Sequence, residues 1–194
     1  MSDDENRRRF ELLALPHLDA AYNLARWLTR NDHDAQDVVQ EALVRALRYI
    51  HGLRGEGARA WLLQIVRHTC YSWLKENRPV EKVALDDFDD AWQDLAAPAA
   101  DEPPALAMRR ADKAQIDAAI AELPVAYREV LVLRELEDLS YADIARIAEI
   151  PVGTVMSRLS RARGLMRAAL TPLTPATRAQ LRTVPRTTQG GGKS

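Results

Sequence analysis

The sequence predicts an all-α protein: two small helical domains joined by a flexible acidic linker. Three observations carry that reading. Apolar residues recur at helical spacing over most of Phe10 to Arg78 and again from Lys113 to Leu170. Prolines and an aspartate-rich run fill the stretch between them, and prolines and glycines follow the second. Charge is segregated along the chain. Ala42 to Val80 holds seven basic and two acidic residues, Asp86 to Glu102 seven acidic and no basic, Ile150 to Ser194 eight basic and no acidic. A formal net charge of −1 over 194 residues therefore conceals two basic surfaces suited to phosphate.

Residues 1–9 are polar and charged and are expected to form a flexible N-terminus. The first domain is expected over residues 10–79. Tyr22, Ala25 and Leu28 place a helix from about His17 to Thr29. Asn31-Asp32-His33-Asp34 interrupts it, with Asp34 able to cap the next helix. In that helix Val39, Ala42, Leu43, Ala46 and Ile50 form a buried stripe, and Asp37, Gln40, Glu41 and Arg48 occupy the opposite face. Gly52, Gly55 and Gly57 mark a loop that carries Arg54. A third helix runs from about Ala58 to Glu76. Trp61, Leu62, Ile65, Val66, Thr69, Cys70, Trp73 and Leu74 form its core stripe, and Pro79 lies just beyond its end.

Residues 80–112 read as the linker, with Phe88 and Trp92 embedded in it and Pro103-Pro104 near its end. The second domain is expected over 113–170. Ile116, Ala119, Ile120 and Leu123 form one stripe up to Pro124; Val130, Leu131, Leu133 and Leu136 form another. From 171 to 194, prolines, a glycine triplet and unopposed basic residues predict a flexible basic tail.

No constellation for catalysis emerges. A lone cysteine, Cys70, excludes an internal disulfide and a cysteine-rich zinc site. The four histidines lack the spacing of a helical metal site, and no glycine loop is followed by the Lys-Ser/Thr of a phosphate cradle. Asp87, Asp89 and Asp90 lack the spacing and terminal glutamate of a calcium loop. The expectation is a non-enzymatic protein without metal or cofactor. No apolar run approaches the roughly 20 residues needed to cross a bilayer and no signal peptide is visible, so no membrane insertion and a cytoplasmic location are expected.

The strongest local signal lies between Leu139 and Arg163. Ser140 can cap a short helix, with Asp143 near its positive end; Ile144, Ala145 and Ala148 supply a packing face. Glu149-Ile150-Pro151 makes a tight turn. A second helix from Val152 to Arg167 then sets Val155, Leu159 and Ala162 against the first. This is the layout of a helix-turn-helix, whose second helix enters the major groove. Ser140 and Pro151 frame the motif. Thr154, Met156, Ser157 and Ser160 are candidates for base edges and sugars, and Arg158, Arg161 and Arg163 for phosphates or guanines. The same pattern also suits an ordinary helical hairpin with a basic solvent face.

The stretch Leu123-Pro124-Val125-Ala126-Tyr127-Arg128-Glu129-Val130-Leu131-Val132-Leu133-Arg134, with the helix-turn-helix after it, resembles region four of extracytoplasmic-function (ECF) sigma factors. Asp34-Ala35-Gln36-Asp37-Val38-Val39-Gln40-Glu41-Ala42 and Ala60-Trp61-Leu62-Leu63-Gln64-Ile65-Val66-Arg67 resemble region two of the same family. The two stretches stand in the family's order. The resemblance implies binding of core RNA polymerase, through its clamp helices and flap, and recognition of a two-part promoter. It places Asp37, Gln40, Glu41 and Arg48 on the clamp helices. Arg54, Arg59, Arg67 and His68 fall at the melted single strand, and the helix from Val152 at the upstream duplex element. His68 stands where many members carry asparagine, and Ser160 where a larger side chain is frequent. An anti-sigma factor is the partner the family implies. The rival readings are a polymerase-independent regulator and a sigma mimic that never binds DNA. The first lacks a recognisable sensor domain, and the second would be free to lose Arg67, Arg158, Arg161 and Arg163, all present here.

Overall fold

The computed structural model describes residues 3–53, 57–78 and 113–171, and among these every regular element is helical. Arg54, the expected linker 80–112 and the tail beyond residue 171 lie outside the described residues.

Residues 3–9, expected to lie in a flexible terminus, stand in helix α1, Asp3–Leu13. Acidic residues open it, at the positive end of the helix dipole, and Arg7, Arg8 and Arg9 follow in its middle. Phe10 packs against the core, and the Arg9 guanidinium donates to the Leu53 carbonyl at 2.7 Å. A single turn of 3-10 helix, Leu15–His17 with Pro16 early in it, leads into α2, Leu18–Thr29. Leu24, Ala25 and Leu28 of α2 are fully buried, and the buried Thr29 hydroxyl donates to the Ala25 carbonyl at 2.9 Å. Arg30, in the left-handed region at φ 60°, ends the helix.

Helix α3 spans Asp32–Tyr49. Its cap is Asn31 rather than Asp34: the Asn31 carboxamide oxygen accepts from the His33 and Asp34 amides at 2.8 and 3.1 Å. Asp34 falls inside the first turn, where its charge meets the positive end of the helix. Helix α4, Ala58–Asn77, starts at Gly57, whose φ of 115° suits glycine alone. Its buried stripe is Ala60, Leu62, Leu63, Val66, Thr69, Cys70 and Leu74. Trp61 and Trp73 lie partly buried against it.

In the second half α5 is Lys113–Glu122 and α6 is Val125–Leu131, and Pro124 stands between them where its missing N–H costs nothing. A π turn, Val132–Leu136, extends α6 and closes with the Glu137 amide on the Val132 carbonyl at 3.1 Å. Helix α7, Tyr141–Ala148, and the long α8, Val152–Leu170, complete the chain.

The first half is a bundle of α2, α3 and α4, with α1 laid across one end; in the second, α8 packs on α5, α6 and α7. The two halves meet directly: α4 lies on α7, and α2 on α6 and the π turn. One buried apolar cluster runs through both, from Leu24 and Leu63 to Leu133, Ile144 and Leu159.

Cys70 sits inside this cluster, 0% exposed, and burial together with the charge of Glu129 pushes its thiol far above the usual range. Iodoacetamide should therefore leave the native protein unmodified at neutral pH and alkylate Cys70 fully once denaturant is added, as read by mass spectrometry.

Candidate nucleic-acid interface

Helices α7 and α8 form the expected helix-turn-helix. The Ser140 hydroxyl oxygen accepts from the Asp143 amide at 3.1 Å and donates to the Asp143 carboxylate at 2.7 Å, and Arg146 closes the group as an ion pair with Asp143. The Ser140 hydroxyl, reinforced by Arg146, holds the Asp143 carboxyl below the usual carboxylate range. Ile144, Ile147 and Ala148 are buried against Val155, Leu159 and Ala162. Ala145, expected in that face, is only partly buried; Ile147 takes the position. The turn is made by Glu149 at φ 57°, a backbone region costing a side-chain-bearing residue roughly 1–2 kcal/mol.

At the start of α8 the outward face is Pro151, Val152, Gly153, Met156, Ser157 and Ser160, all exposed, with Thr154 half-buried beside them. The Ser157 hydroxyl donates to the Thr154 carbonyl at 3.0 Å. The expected arginines flank this face. Arg158 and Arg161 are half-buried, the latter 3.5 Å from the Tyr127 hydroxyl. Arg163 donates twice to Glu135, at 2.8 and 3.2 Å.

Arg59, Arg67 and His68 of α4 each meet a carboxylate of the second half, with Arg59 and Arg67 partly buried and His68 exposed. Arg67 donates through Nε to Glu129 at 2.5 Å, and the Tyr71 hydroxyl donates to the other oxygen of Glu129 at 3.0 Å. The Arg67 guanidinium also lies over the Tyr71 ring, 4.5 Å from its centre. Glu129 is 0% exposed: burial pushes its carboxyl up, and Arg67, Tyr71 and Arg158 pull back toward the charged form. Arg59 reaches Glu137 at 2.7 Å, and the Asn23 carboxamide donates to the same carboxylate at 2.8 Å. Gln64 and His68 both contact Glu149, at 2.9 and 3.1 Å, and hold its carboxyl below the usual range. Three expected strand-contact residues, Arg59, Arg67 and His68, are thus brought together, each facing a glutamate of the second half.

On α3, Asp37, Gln40, Glu41 and Arg48 are all exposed, as a partner-binding face requires. Val44, Leu47 and Tyr49 accompany them, 52%, 43% and 62% exposed. Among the described residues no group of His, Cys, Asp and Glu is arranged to hold a metal ion, and no helix is long and apolar enough to cross a membrane.

Comparison with known proteins places both halves. Residues 13–80 match the family described as Sigma-70 region 2, and residues 113–166 the family described as Sigma-70, region 4. Over 172 residues the chain is 36% identical to the RNA polymerase sigma-H factor of Pseudomonas aeruginosa, spanning 87% of this chain and 89% of the relative. It is 34% identical over 173 residues to the ECF RNA polymerase sigma-E factor of Haemophilus influenzae, spanning 87% and 90%. The chain belongs to the ECF sigma factor family. Among solved structures it is similar to the sigma factor RpoE of Bartonella quintana, in complex with the anti-sigma factor NepR. The TM-score is 0.63 and the identity 26%, over 83% of this chain and 96% of that one. As an ECF sigma factor it binds core RNA polymerase and directs promoter-specific initiation of transcription.

Sequence reasoning about this sigma factor missed Gln64 and Tyr71 on α4 and the three glutamates opposite them. A signal for one was present. Arg128 and Glu129 interrupt an otherwise apolar run from Val125 to Leu133, and a carboxylate buried there must find a cation.

Ser140→Ala removes the cap of α7 and should destabilise the protein by about 1 kcal/mol. A carboxyl held below its usual value stabilises the fold above that value, about pH 4, and loses the contribution as pH falls through its lowered one. In Ser140→Ala the Asp143 carboxyl should move up, and the fall in stability on acidification should be shallower. Carboxyl-detected NMR titration and thermal melts against pH check both.

Proposed function

We propose that this sigma factor uses α3 to hold core polymerase, α4 with its preceding loop to hold unpaired promoter bases, and α8 to read the upstream element. The observation that carries this reading is the separation of three surfaces on one chain. They are an exposed polar and apolar face on α3, a cationic and aromatic stripe on α4, and a small-residue outward face on α8. Asp37, Gln40, Glu41 and Arg48 contact the polymerase clamp helices, and the second half contacts its flap. Arg59, Arg67 and His68, with Arg54 from the loop, take the single strand, where cations hold phosphates and rings stack on bases. Ser140, Pro151, Thr154, Met156, Ser157 and Ser160 line the duplex, and Arg158, Arg161 and Arg163 supply positive charge beside it.

The chain contributes no bond-making chemistry; it contributes discrimination between promoters and the binding energy that traps opened bases. It works in the cytoplasm, where the polymerase is. The similarity to a sigma factor crystallised with its anti-sigma factor supports a partner of that kind here, one that occupies the polymerase-facing surfaces.

Run-off transcription from genomic fragments with core polymerase tests the whole reading. Start sites that require this protein and share a two-part upstream motif are the expected result; none, with folded protein and active core, refutes it. Asp37→Arg, at a side chain 62% exposed, should weaken core binding by about tenfold, close to 1.4 kcal/mol, with an unchanged melting temperature. Arg161→Ala should lower the salt slope of duplex binding by about one unit, measured by anisotropy across a salt series.

A further inference from the structure

The first turns of α8 hold two apolar side chains in water. Val152 and Met156, four residues apart and so on one face, are 43% and 54% exposed. The remaining valine, leucines and methionine of the helix are buried or half-buried. Beside the pair stand Gly153, Ser157 and Ser160, all exposed and all shorter than Met156. A Cβ built on Gly153 would meet nothing within 4 Å, so packing inside the protein does not ask for glycine there. The bare backbone at Gly153 leaves Met156 as the longest side chain on that face.

The charged donors of the helix are set to the sides of this face. Arg163 donates twice to Glu135, and Arg161 lies 3.5 Å from the Tyr127 hydroxyl. Arg158 is close enough to Glu129 for its charge to favour the ionised carboxylate. In the major groove guanine offers two acceptors that suit an arginine, and adenine an acceptor and a donor that suit an amide. Thymine alone presents a methyl group, which suits an apolar side chain. Val152 and Met156 have no side-chain N–H or O–H to offer a guanine or an adenine. An unbranched, polarisable methionine packs on a methyl without demanding a single geometry.

We propose that Met156, with Val152 beside it, reads the C5-methyl group of a thymine in the upstream element, selecting that base pair by apolar contact and not by hydrogen bonding. The inference rests on the assignment of α8 to the upstream duplex. Ser157 and Ser160 can bond to either kind of pair, and the flanking arginines hold phosphates on both sides. The methyl contact is the sequence-selective one on this edge of the helix.

The test uses holoenzyme, core polymerase with the full chain, on the promoters that run-off transcription identifies. Thymines of the upstream element are replaced one at a time by deoxyuridine, which deletes the methyl group and keeps the base pair. With the native protein one such replacement should weaken promoter binding about fourfold, the worth of one buried methyl group. Met156→Ala, a change at an exposed side chain, should bind the thymine promoter about fourfold more weakly than the native protein does. It should lose nothing further on the deoxyuridine promoter and should keep the salt slope of binding, which reports phosphate contacts. A native protein indifferent to deoxyuridine at every position overturns the proposal. So does a Met156→Ala protein that responds to deoxyuridine as the native one does.

Scrambling the whole upstream element separates the two levels. Unchanged binding by the native holoenzyme refutes the assignment of α8 beneath the proposal. A loss on scrambling, with no response to deoxyuridine, overturns the methyl contact alone.

Discussion

Burial of Glu129 binds the two halves of the chain to each other. A carboxylate removed from water costs several kcal/mol unless a cation and further donors meet it, and here Arg67 and Tyr71 do so from the other half of the chain. Loss of either cationic or anionic partner would leave an uncompensated charge inside, a cost of about 3–5 kcal/mol. The pair therefore ties α4 to α6. Beside it α4 packs on α7, where Gln64 and His68 reach Glu149, and Arg59 reaches Glu137. Around these polar contacts the apolar cluster is continuous, so they act at the edge of a packed core and not in isolation.

The helix-turn-helix owes its shape to smaller causes that agree with one another. A serine cap starts α7, a left-handed residue ends it, and a proline opens α8 where its missing N–H is harmless. Alanines at 148 and 162 let the two helices approach closely while Ile144, Val155 and Leu159 fill the seam. The motif is thus rigid by packing, and its outward face is left free of core duties. That is what a surface that reads DNA needs: positions fixed by neighbours whose own identities are set by the core.

Charge divides the labour among the helices. α3 exposes both signs beside apolar side chains, the composition of a protein-binding face. α4 concentrates cations and a tyrosine ring. α8 keeps its arginines at the flanks of a nearly neutral tip, so positive charge can hold the duplex backbone while small side chains meet the bases. Charge is therefore distributed unevenly over separate elements, and the near-zero net charge of the chain is the sum of acidic and basic stretches.

Much of this was legible in the sequence because it is local. Helical spacing of apolar residues determined α2, α3, α4 and α8 to within a few residues, and Ser140, Glu149 and Pro151 marked the turn of the helix-turn-helix through capping and backbone preference. The resemblance of two separate stretches to one family determined the function. Where local signals compete, the reading slipped: Asn31 and Asp34 can both cap, and the structure uses Asn31; the polar start of the chain conceals a helix because few apolar residues, Phe10 among them, tie it to the core. The tertiary structure alone decided how the halves meet. Salt bridges between residues 62 or 78 positions apart leave no periodicity to read, since any of many arginines could serve any buried glutamate. Which one does so is set by the packing of whole helices, where shape and burial act together.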